Sequence, residues 1–328
     1  MKNKIIGLLA ITTALLLSAC MSTTEPKADK IKVLIMDGQN NHGNWPKSTV
    51  MMKQYLEETN MFTVDVARTA YTWKGDKLIK QFPLEDGKKT QALPQPKADK
   101  NFAPQFENYD VVISNFGWKA ANLPRATELA LEKFVAQGGG FVSVHAADNS
   151  WPQWTEFNKM IGLGGWGGRN HKSGPWVYYN EHDKLIVDHS PGGGGSHGPQ
   201  QEFMIKVRQQ QHPIMQGMPE NFMHAKDELY ATLRGPAQNM TILATSLSHK
   251  NPKKEPRHEP VVMVIDYGKG RVFHTTLGHG DEAFESVSLI TLLQRGVEWA
   301  ATGEVTQALP DDFPTAQASS SRKFTLSK

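Results

Sequence analysis

The sequence places histidines and carboxylates where they could carry acid–base chemistry. His42, His145 and His279 each follow a short apolar run, and Asp227 and Glu228 form an adjacent pair of carboxylates. Histidine has an ordinary pKa close to neutrality, so each imidazole could serve as a general base, a hydrogen-bond donor or a metal ligand. A neighbouring carboxylate could orient such a histidine or exchange a proton itself. We therefore predict a catalytic set of His145, His42, Asp227, Glu228 and His279.

Each of these residues also has a structural interpretation. His145 could cap a following helix or be satisfied in the core, and His279, between two glycines, could belong to a turn that needs a positive φ. The carboxylate pair could instead begin a strand and form a salt bridge with Arg271. The catalytic interpretation is favoured because several such segments should converge at one end of a sheet.

The same loops carry amide and indole side chains that suit a sugar. Asparagine and glutamine amides hydrogen-bond to hydroxyl groups, and tryptophan rings pack on the apolar faces of pyranose rings as well as in a protein core. His171 lies in a glycine-rich stretch from which it could close over a substrate. We predict that the substrate is bound by Asp37, Gln39, Asn40, Asn41, Trp45, Asn115, Trp118, Asp148 and His171.

No standard cofactor or nucleic-acid motif accompanies these residues. The sequence contains no HExxH, EF-hand or paired CxxC pattern, and its glycine runs match neither the Walker nor the dinucleotide spacing. A divalent metal assembled from distant histidines and carboxylates stays open as an alternative. The absence of a basic block with interleaved aromatics argues against nucleic acid as a partner, and no protein partner is indicated.

Alternating strand and helix patterns supply the framework for these loops. This rhythm indicates an α/β fold with a mostly parallel sheet and helices on both faces, in which ligands bind beyond the carboxyl ends of the strands. The predicted strands are Ile31–Met36, Phe62–Ala67, Asp110–Ser114, Phe141–Val144, Phe203–Val207, Thr241–Thr245, Val261–Ile265 and Arg271–Thr275. The predicted helices are Pro46–Thr59, Arg125–Gln137 and Glu282–Ala300.

Three segments fall outside this pattern. Lys74 to Phe106 is rich in Lys, Gln and Pro and is predicted to be irregular, whereas Gly162 to Pro199 is rich in Gly and His and is predicted to be a long insertion or lid. The residues after Thr302 are predicted to form a loose extension. We therefore divide the chain into a signal peptide at 1–19, a spacer at 20–30, one α/β domain at 31–302 and a C-terminal extension at 303–328.

The first residues have the pattern of a lipoprotein signal peptide. Lys2 and Lys4 precede an apolar run that is too short to span a bilayer, and Leu17–Cys20 fits the lipobox, in which the cysteine is acylated. Met21, instead of Asp, favours the outer membrane facing the periplasm, with the cell surface as an alternative. Removal of the two lysines lowers the formal net charge of +3 to +1.

Several sequence segments resemble the ThuA-like, or trehalose-utilisation, proteins of the class I glutamine amidotransferase-like superfamily. These segments are Gly138–Ala146, His212–Gly217, Asp227–Tyr230, Tyr267–Val272 and Thr276–His279. The resemblance implies a three-layer flavodoxin-like fold. In the amidotransferases the turn after the fourth strand carries a nucleophilic cysteine, and His145 stands at the corresponding turn here. Cys20 is the only cysteine, so the resemblance does not extend to glutaminase chemistry.

The resemblance and the loop residues together imply a periplasmic enzyme that acts on a sugar, a glycoside or an oxidised (keto) sugar. Isomerisation, glycoside cleavage and elimination beside a carbonyl would each suit histidine and carboxylate acid–base chemistry. Two alternatives stay open, namely a non-catalytic sugar-binding envelope lipoprotein and a metal-dependent hydrolase.

Overall fold

The computed structural model describes residues 29–250 and 255–327, and the predicted signal peptide and Cys20 lie outside them. The strands are β1 (Ile31–Gln39), β2 (Phe62–Trp73), β3 (Gln91–Leu93), β4 (Val111–Ser114), β5 (Gly140–Val144), β6 (Trp176–Tyr179), β7 (Leu185–Asp188), β8 (Ser196–His197), β9 (Gln201–Val207), β10 (Asn221–Asp227), β11 (Tyr230–Ala231), β12 (Met240–Ser248), β13 (Arg257–Tyr267) and β14 (Gly270–Thr275). The helices are α1 (Trp45–Glu57), α2 (Asp76–Gln81), α3 (Arg125–Ala136), α4 (Thr155–Ile161), α5 (Asp281–Phe284) and α6 (Val287–Thr302).

One large sheet joins most of these strands in the order β10-β9-β12-β13-β14-β5-β4-β1-β2-β3. The strands from β3 to β14 along this order pair in parallel, whereas the pairs from β14 to β10 are antiparallel. Apart from the short β3, the parallel part has the strand order of flavodoxin-like folds. The expected α/β fold is confirmed, and the antiparallel extension adds a part that the strand and helix rhythm did not predict.

Strand β1 shows why the sheet must lie between two layers of helices. Successive side chains of a strand point to opposite faces, and those of β1 are apolar on both. Val33 and Ile35 pack in one hydrophobic cluster, while Leu34 and Met36 pack in the other. A strand buried on both faces is typical of the centre of a parallel sheet.

Helices complete both clusters. On the first face, α1 contributes residues such as Met51 and Leu56, and α6 contributes residues such as Leu293. On the second face, α3 buries Leu131 and α4 buries Phe157. None of the helices in the described residues is long and apolar enough to cross a membrane.

The two segments predicted to be irregular contain short regular elements. Strands β6 and β7 form an antiparallel hairpin inside the glycine-rich insertion, and β6 also touches β13 at Tyr179. Strand β8 pairs with β11, which ties the end of the insertion to the segment after Asp227. The Lys-, Gln- and Pro-rich segment contains α2 and adds β3 to the sheet edge. The insertion is therefore anchored to the domain through both of its ends.

The prediction of a loose extension after Thr302 is wrong. The Glu298 carboxylate accepts hydrogen bonds from the backbone N–H and side chain of Thr306, and Phe313 packs against Phe222 at 5.1 Å between ring centroids. Ser320 then accepts a backbone hydrogen bond from Val287. The prediction failed because two of these contacts, to Phe222 and Val287, are made to residues distant in sequence, which a local composition does not reveal.

Candidate functional site

Four side chains from four separate loops meet in one cluster, which we call the histidine cluster: His42, His145, Glu228 and His279. His42 follows β1, His145 follows β5, His279 follows β14, and Glu228 lies between β10 and β11. One nitrogen or oxygen atom from each side chain lies within 4.8 Å of the corresponding atoms of the others. These are four of the five residues predicted to be catalytic.

The topology of the sheet explains this convergence. The chain leaves β1 toward β2 on one side and returns to β4 on the other, so a crevice opens beyond the carboxyl end of β1. Strands β4, β5 and β14 run parallel to β1, and their carboxyl ends lie at the same edge. Loops that follow these strands must therefore approach one another at that edge.

His145 occupies a strained turn directly after β5. Its φ of 47° lies in the left-handed region, which non-glycine residues adopt at a cost. The ring is held at both nitrogens, because Nδ1 donates to the carbonyl of Thr276 at 2.7 Å and Nε2 accepts from the Tyr230 hydroxyl at 2.9 Å. Burial lowers the pKa of His145, so the imidazole is neutral and Nε2 carries its lone pair.

Two asparagines of the β1 loop position His42. Asn40 donates to the carbonyl of Phe116 at 3.0 Å and accepts from the backbone N–H of His42 at 2.9 Å. Asn41 accepts from the Trp118 N–H and places its amide nitrogen 3.3 Å from Nε2 of His42. The other ring nitrogen of His42, Nδ1, is buried without a hydrogen-bond partner. Burial and the nearby His145 and His279 lower the pKa of His42 to about 2.

Asp227 holds the backbone of the loop that carries His279. Its buried carboxylate accepts from the N–H groups of Gly278 at 2.8 Å and His279 at 2.9 Å, and it also binds Nε2 of His224 at 3.0 Å. Burial works against ionisation, but His224 and these donors outweigh it and hold the pKa of Asp227 below its ordinary value. Gly278 has a φ of 124°, which favours glycine where the loop passes over His145.

Glu228 contacts His279 without a well-formed hydrogen bond. Its Oε2 lies 2.9 Å from Nδ1 of His279, yet this nitrogen belongs to the buried atoms that lack a hydrogen-bond partner, because the N–H direction is poorly aligned. His197 lies on the other oxygen at 3.6 Å. Burial works to raise the pKa of Glu228, but His279 and His197 outweigh it and keep the pKa below its ordinary value. Glu228 is therefore an anion beside the imidazoles of His279 and His197.

Tyr230 and Asn149 belong to this site and were not predicted. The Tyr230 hydroxyl accepts from Asn149 at 3.3 Å and donates to His145, and burial raises its pKa well above the ordinary value. Trp166 and His197 lie beside the Tyr230 ring, with centroids at 4.8 Å and 6.4 Å. The signal that could have found Tyr230 is its place in the Asp227–Tyr230 segment, which carries the two predicted carboxylates.

Four of the predicted substrate-binding residues form hydrogen bonds within the protein. Asp37 is buried in a double hydrogen bond with Arg68, and Trp45 is buried with its indole N–H directed at backbone carbonyls of the β2 end. Gln39 joins β2 and two loops through its amide, and Asn115 donates to the carbonyl of Trp45 and to two hydroxyls of α1. Their positions after strands suggested ligand contacts, but the loops themselves use these groups.

The remaining predictions are divided between the site and the surface. Asp148 is buried beneath it, with one oxygen 3.3 Å from Nε2 of His274 and the other without a partner. The Trp118 side chain is half-buried, and its backbone holds Asn41. His171 is exposed on a short 3-10 turn and does not join the histidine cluster. Arg271, the alternative partner for Asp227, binds the carbonyls of Trp299 and Ala301.

Comparison with known proteins agrees with this architecture. The family model described as "ThuA: Trehalose utilisation" matches residues 32–300. A ThuA-like protein from Parabacteroides merdae shares 39% sequence identity over 90% of this chain and 100% of its own, with a TM-score of 0.77. A second, from Bacteroides uniformis, shares 18% identity over 87% of this chain and 98% of its own, with a TM-score of 0.51.

A search of curated proteins gives no match. The family model covers most of the chain, and the Parabacteroides merdae structure matches at high identity over nearly all of it. Both findings confirm the resemblance that the sequence segments suggested, including its flavodoxin-like fold. The chain belongs to the ThuA, or trehalose-utilisation, family.

Proposed function

We propose that the protein is a carbohydrate-active enzyme whose catalytic centre is the histidine cluster. The observation that carries this proposal is the convergence of His42, His145, Glu228 and His279 from four loops at the switch point of the sheet. Buried polar groups are costly, and a fold gains nothing in stability from gathering several that are incompletely partnered. Such a cluster is therefore typical of a site that acts on a ligand.

A sugar is the substrate class that best suits this centre. The description of the family, trehalose utilisation, concerns carbohydrate. Trp166 is half-buried beside Tyr230 and offers an aromatic face next to the cluster. Aromatic faces pack on the apolar faces of pyranose rings, while the surrounding imidazole, carboxylate and phenol groups can bind hydroxyl oxygens.

The chemistry that the cluster supports is proton transfer beside a carbonyl or at a glycosidic oxygen. Neutral imidazole nitrogens and the Glu228 carboxylate can accept protons, and the Tyr230 hydroxyl can turn from His145 toward a substrate oxygen on which negative charge develops. Isomerisation, glycoside cleavage and elimination all contain such a step. A keto group in a sugar or glycoside makes the neighbouring C–H acidic enough for an imidazole or a carboxylate to remove its proton.

We further propose that the enzyme is lipid-anchored through Cys20 and works in the periplasm. The lipobox at Leu17–Cys20 supports this location. Labelling of cells with a radiolabelled fatty acid should place the label on the wild-type chain and not on Cys20→Ser.

A substrate screen tests the function. Purified protein is incubated with glycosides, disaccharides including trehalose, and their keto forms, and products are read by mass. We expect turnover by the wild type and a loss of at least about 10²-fold for His145→Asn, because Asn tolerates the left-handed backbone but cannot replace the imidazole. His182→Asn, on an exposed loop, is the matched control. If the wild type and His145→Asn both bind sugar and neither turns it over, the protein is a binding module and the proposal fails.

A further inference from the structure

We propose that His42, His145, His279 and Glu228 bind one divalent transition-metal ion. This inference deepens the proposed function, because it names the agent that would polarise a substrate oxygen at the same cluster. Three imidazoles and one carboxylate form a donor set that suits ions of the Zn²⁺, Mn²⁺, Fe²⁺ and Co²⁺ class and does not suit Mg²⁺ or Ca²⁺, which prefer oxygen ligands.

Unpartnered atoms are the first argument for an ion. Nδ1 of His42 and Nδ1 of His279 are both buried without a hydrogen-bond partner, and both rings lie in this cluster with centroids 4.5 Å apart. Most buried polar atoms in proteins are hydrogen-bonded, so two such nitrogens side by side need an explanation. A cation supplies one, because each Nδ1 offers it a lone pair when the ring proton is on Nε2.

The contact between Glu228 and His279 is the second argument. Oε2 of Glu228 and Nδ1 of His279 approach to 2.9 Å, but they do not have the alignment of a hydrogen bond. A hydrogen bond alone would have aligned them, since its strength falls steeply with the angle. Ligands of one metal ion instead direct their lone pairs toward a common point, which gives a short separation without that alignment.

The surroundings of His145 are the third argument. A metal-binding histidine commonly donates its second ring N–H to a backbone carbonyl, which fixes the tautomer and aims the free nitrogen at the ion. Nδ1 of His145 donates in this way to Thr276, which leaves Nε2 with the lone pair, and the Tyr230 hydroxyl donates to it. An ion at Nε2 would free the Tyr230 hydroxyl to bind an oxygen atom of water or substrate on the ion.

Size and access also agree with an ion. Ligand atoms around a tetrahedral Zn²⁺ lie about 3.4 Å apart, given bond lengths of about 2.1 Å. The 4.8 Å limit of this cluster therefore asks for a closure of about 1 Å or somewhat more at the widest pair, which rotations of the loop-borne His42 and His279 rings can provide. The side chains of His279 and Glu228 keep 21% and 11% of their surface exposed, so an ion can enter from solvent.

Direct metal titration tests this inference without any substrate. The mature chain is stripped with a chelator and titrated with Zn²⁺ by calorimetry and with Co²⁺ by visible absorption, which reports coordination number. We expect one ion per chain, a Co²⁺ spectrum of low coordination number with imidazole ligands, and binding at least about 10²-fold weaker in His279→Ala and Glu228→Gln. Mg²⁺ and Ca²⁺ should not compete, and His182→Ala should bind Co²⁺ like the wild type.

Two results would overturn the inference: no stoichiometric binding of any of these ions, or equal affinity in the wild type and both cluster variants. Circular dichroism of the stripped variants shows whether each is folded. If His279→Ala does not fold, the comparison of affinities uses Glu228→Gln alone. An ion bound by a protein that turns over no sugar would leave this inference standing and reject the proposed function. Sugar turnover that persists in the stripped protein, with no ion bound, would support the proposed function and reject the metal site.

Discussion

The Tyr230 hydroxyl donates a 2.9 Å hydrogen bond to Nε2 of His145, and the two rings lie 4.4 Å apart between centroids. This pair joins the turn after β5 to the short strand β11, which are 85 residues apart in the chain. Nδ1 of His145 donates its proton to the carbonyl of Thr276, so the neutral ring has one lone pair, on Nε2, and this lone pair accepts from the Tyr230 hydroxyl. The phenol is thus the hydrogen-bond partner of the ring nitrogen of His145 that carries the lone pair.

Removal of this hydroxyl should reduce activity far more than stability. We expect Tyr230→Phe to lower kcat by about 10²-fold, because a positioned proton donor is lost, and to cost about 1 kcal/mol of folding free energy. Steady-state kinetics and urea unfolding measure the two effects. Tyr267→Phe is the matched control, since its hydroxyl donates to Glu156 at 2.6 Å on another part of the surface. Equal kcat values for the two variants would contradict the role of Tyr230.

The framework of the fold could be predicted because its signals are local. The apolar run at β1 and the helix patterns at α1 and α3 each span a few consecutive residues, and their rhythm indicates a parallel sheet. Strand β10 was not predicted, because Lys226 and His224 interrupt its apolar pattern and their partners lie elsewhere in the chain. Its burial depends on contacts that only the folded chain makes.

The site could be predicted in part for the same reason. Strand-end loops are identifiable in sequence, so His42, His145 and His279 could be assigned to one edge. Which polar side chains face the ligand and which hold the loops together depends on tertiary geometry. Gln39 and Asn40 are adjacent at the end of β1, yet Gln39 binds backbone groups of neighbouring segments and Asn40 supports His42.

Asp227 should matter for both stability and the position of His279. Gly278 and His279 donate to different oxygens of Asp227, so in Asp227→Asn, where one oxygen becomes an NH₂ group, one of these two N–H groups loses its acceptor. We expect a loss of about 2–4 kcal/mol in unfolding free energy, measured by urea denaturation, because a buried charged network is broken. Asp183→Asn weakens two ion pairs of an exposed carboxylate and should cost far less, because solvent screens the charge at this position. A similar cost for both variants would refute this assignment.

The buried pair of Asp37 and Arg68 separates a structural role from substrate binding. Arg68 donates two hydrogen bonds of 2.8 Å and 2.7 Å to the Asp37 carboxylate, and both side chains are almost fully buried. Asp37→Asn should cost about 3–5 kcal/mol, because a buried guanidinium loses its counter-charge. The KM of the folded fraction should not change. A raised KM at unchanged stability would restore the substrate-binding interpretation of this residue.

Glu259 should make stability depend on pH. Burial raises the pKa of its carboxyl to about 7, above the ordinary value of 4.5, so the folded state binds a proton that the unfolded state has released between those pH values. The stabilising contribution is complete below pH 4.5 and is lost as pH rises through 7. Relative to Glu259→Gln, the wild type should lose about 3 kcal/mol of unfolding free energy between pH 5 and pH 8. Parallel pH profiles for the two proteins in chemical denaturation would contradict this.

The wide sequence spacing of the histidine cluster has a consequence for how the chain resists unfolding. Its four members stand at positions 42, 145, 228 and 279, in both the parallel and the antiparallel part of the sheet, and a chain with one cysteine cannot form an internal disulfide. A ligand that holds all four at once closes loops of many residues, as a covalent cross-link would, and it binds only the folded chain. A bound ligand would thus act as a reversible cross-link, so the resistance of the whole domain to heat and proteolysis would rise with the concentration of that ligand.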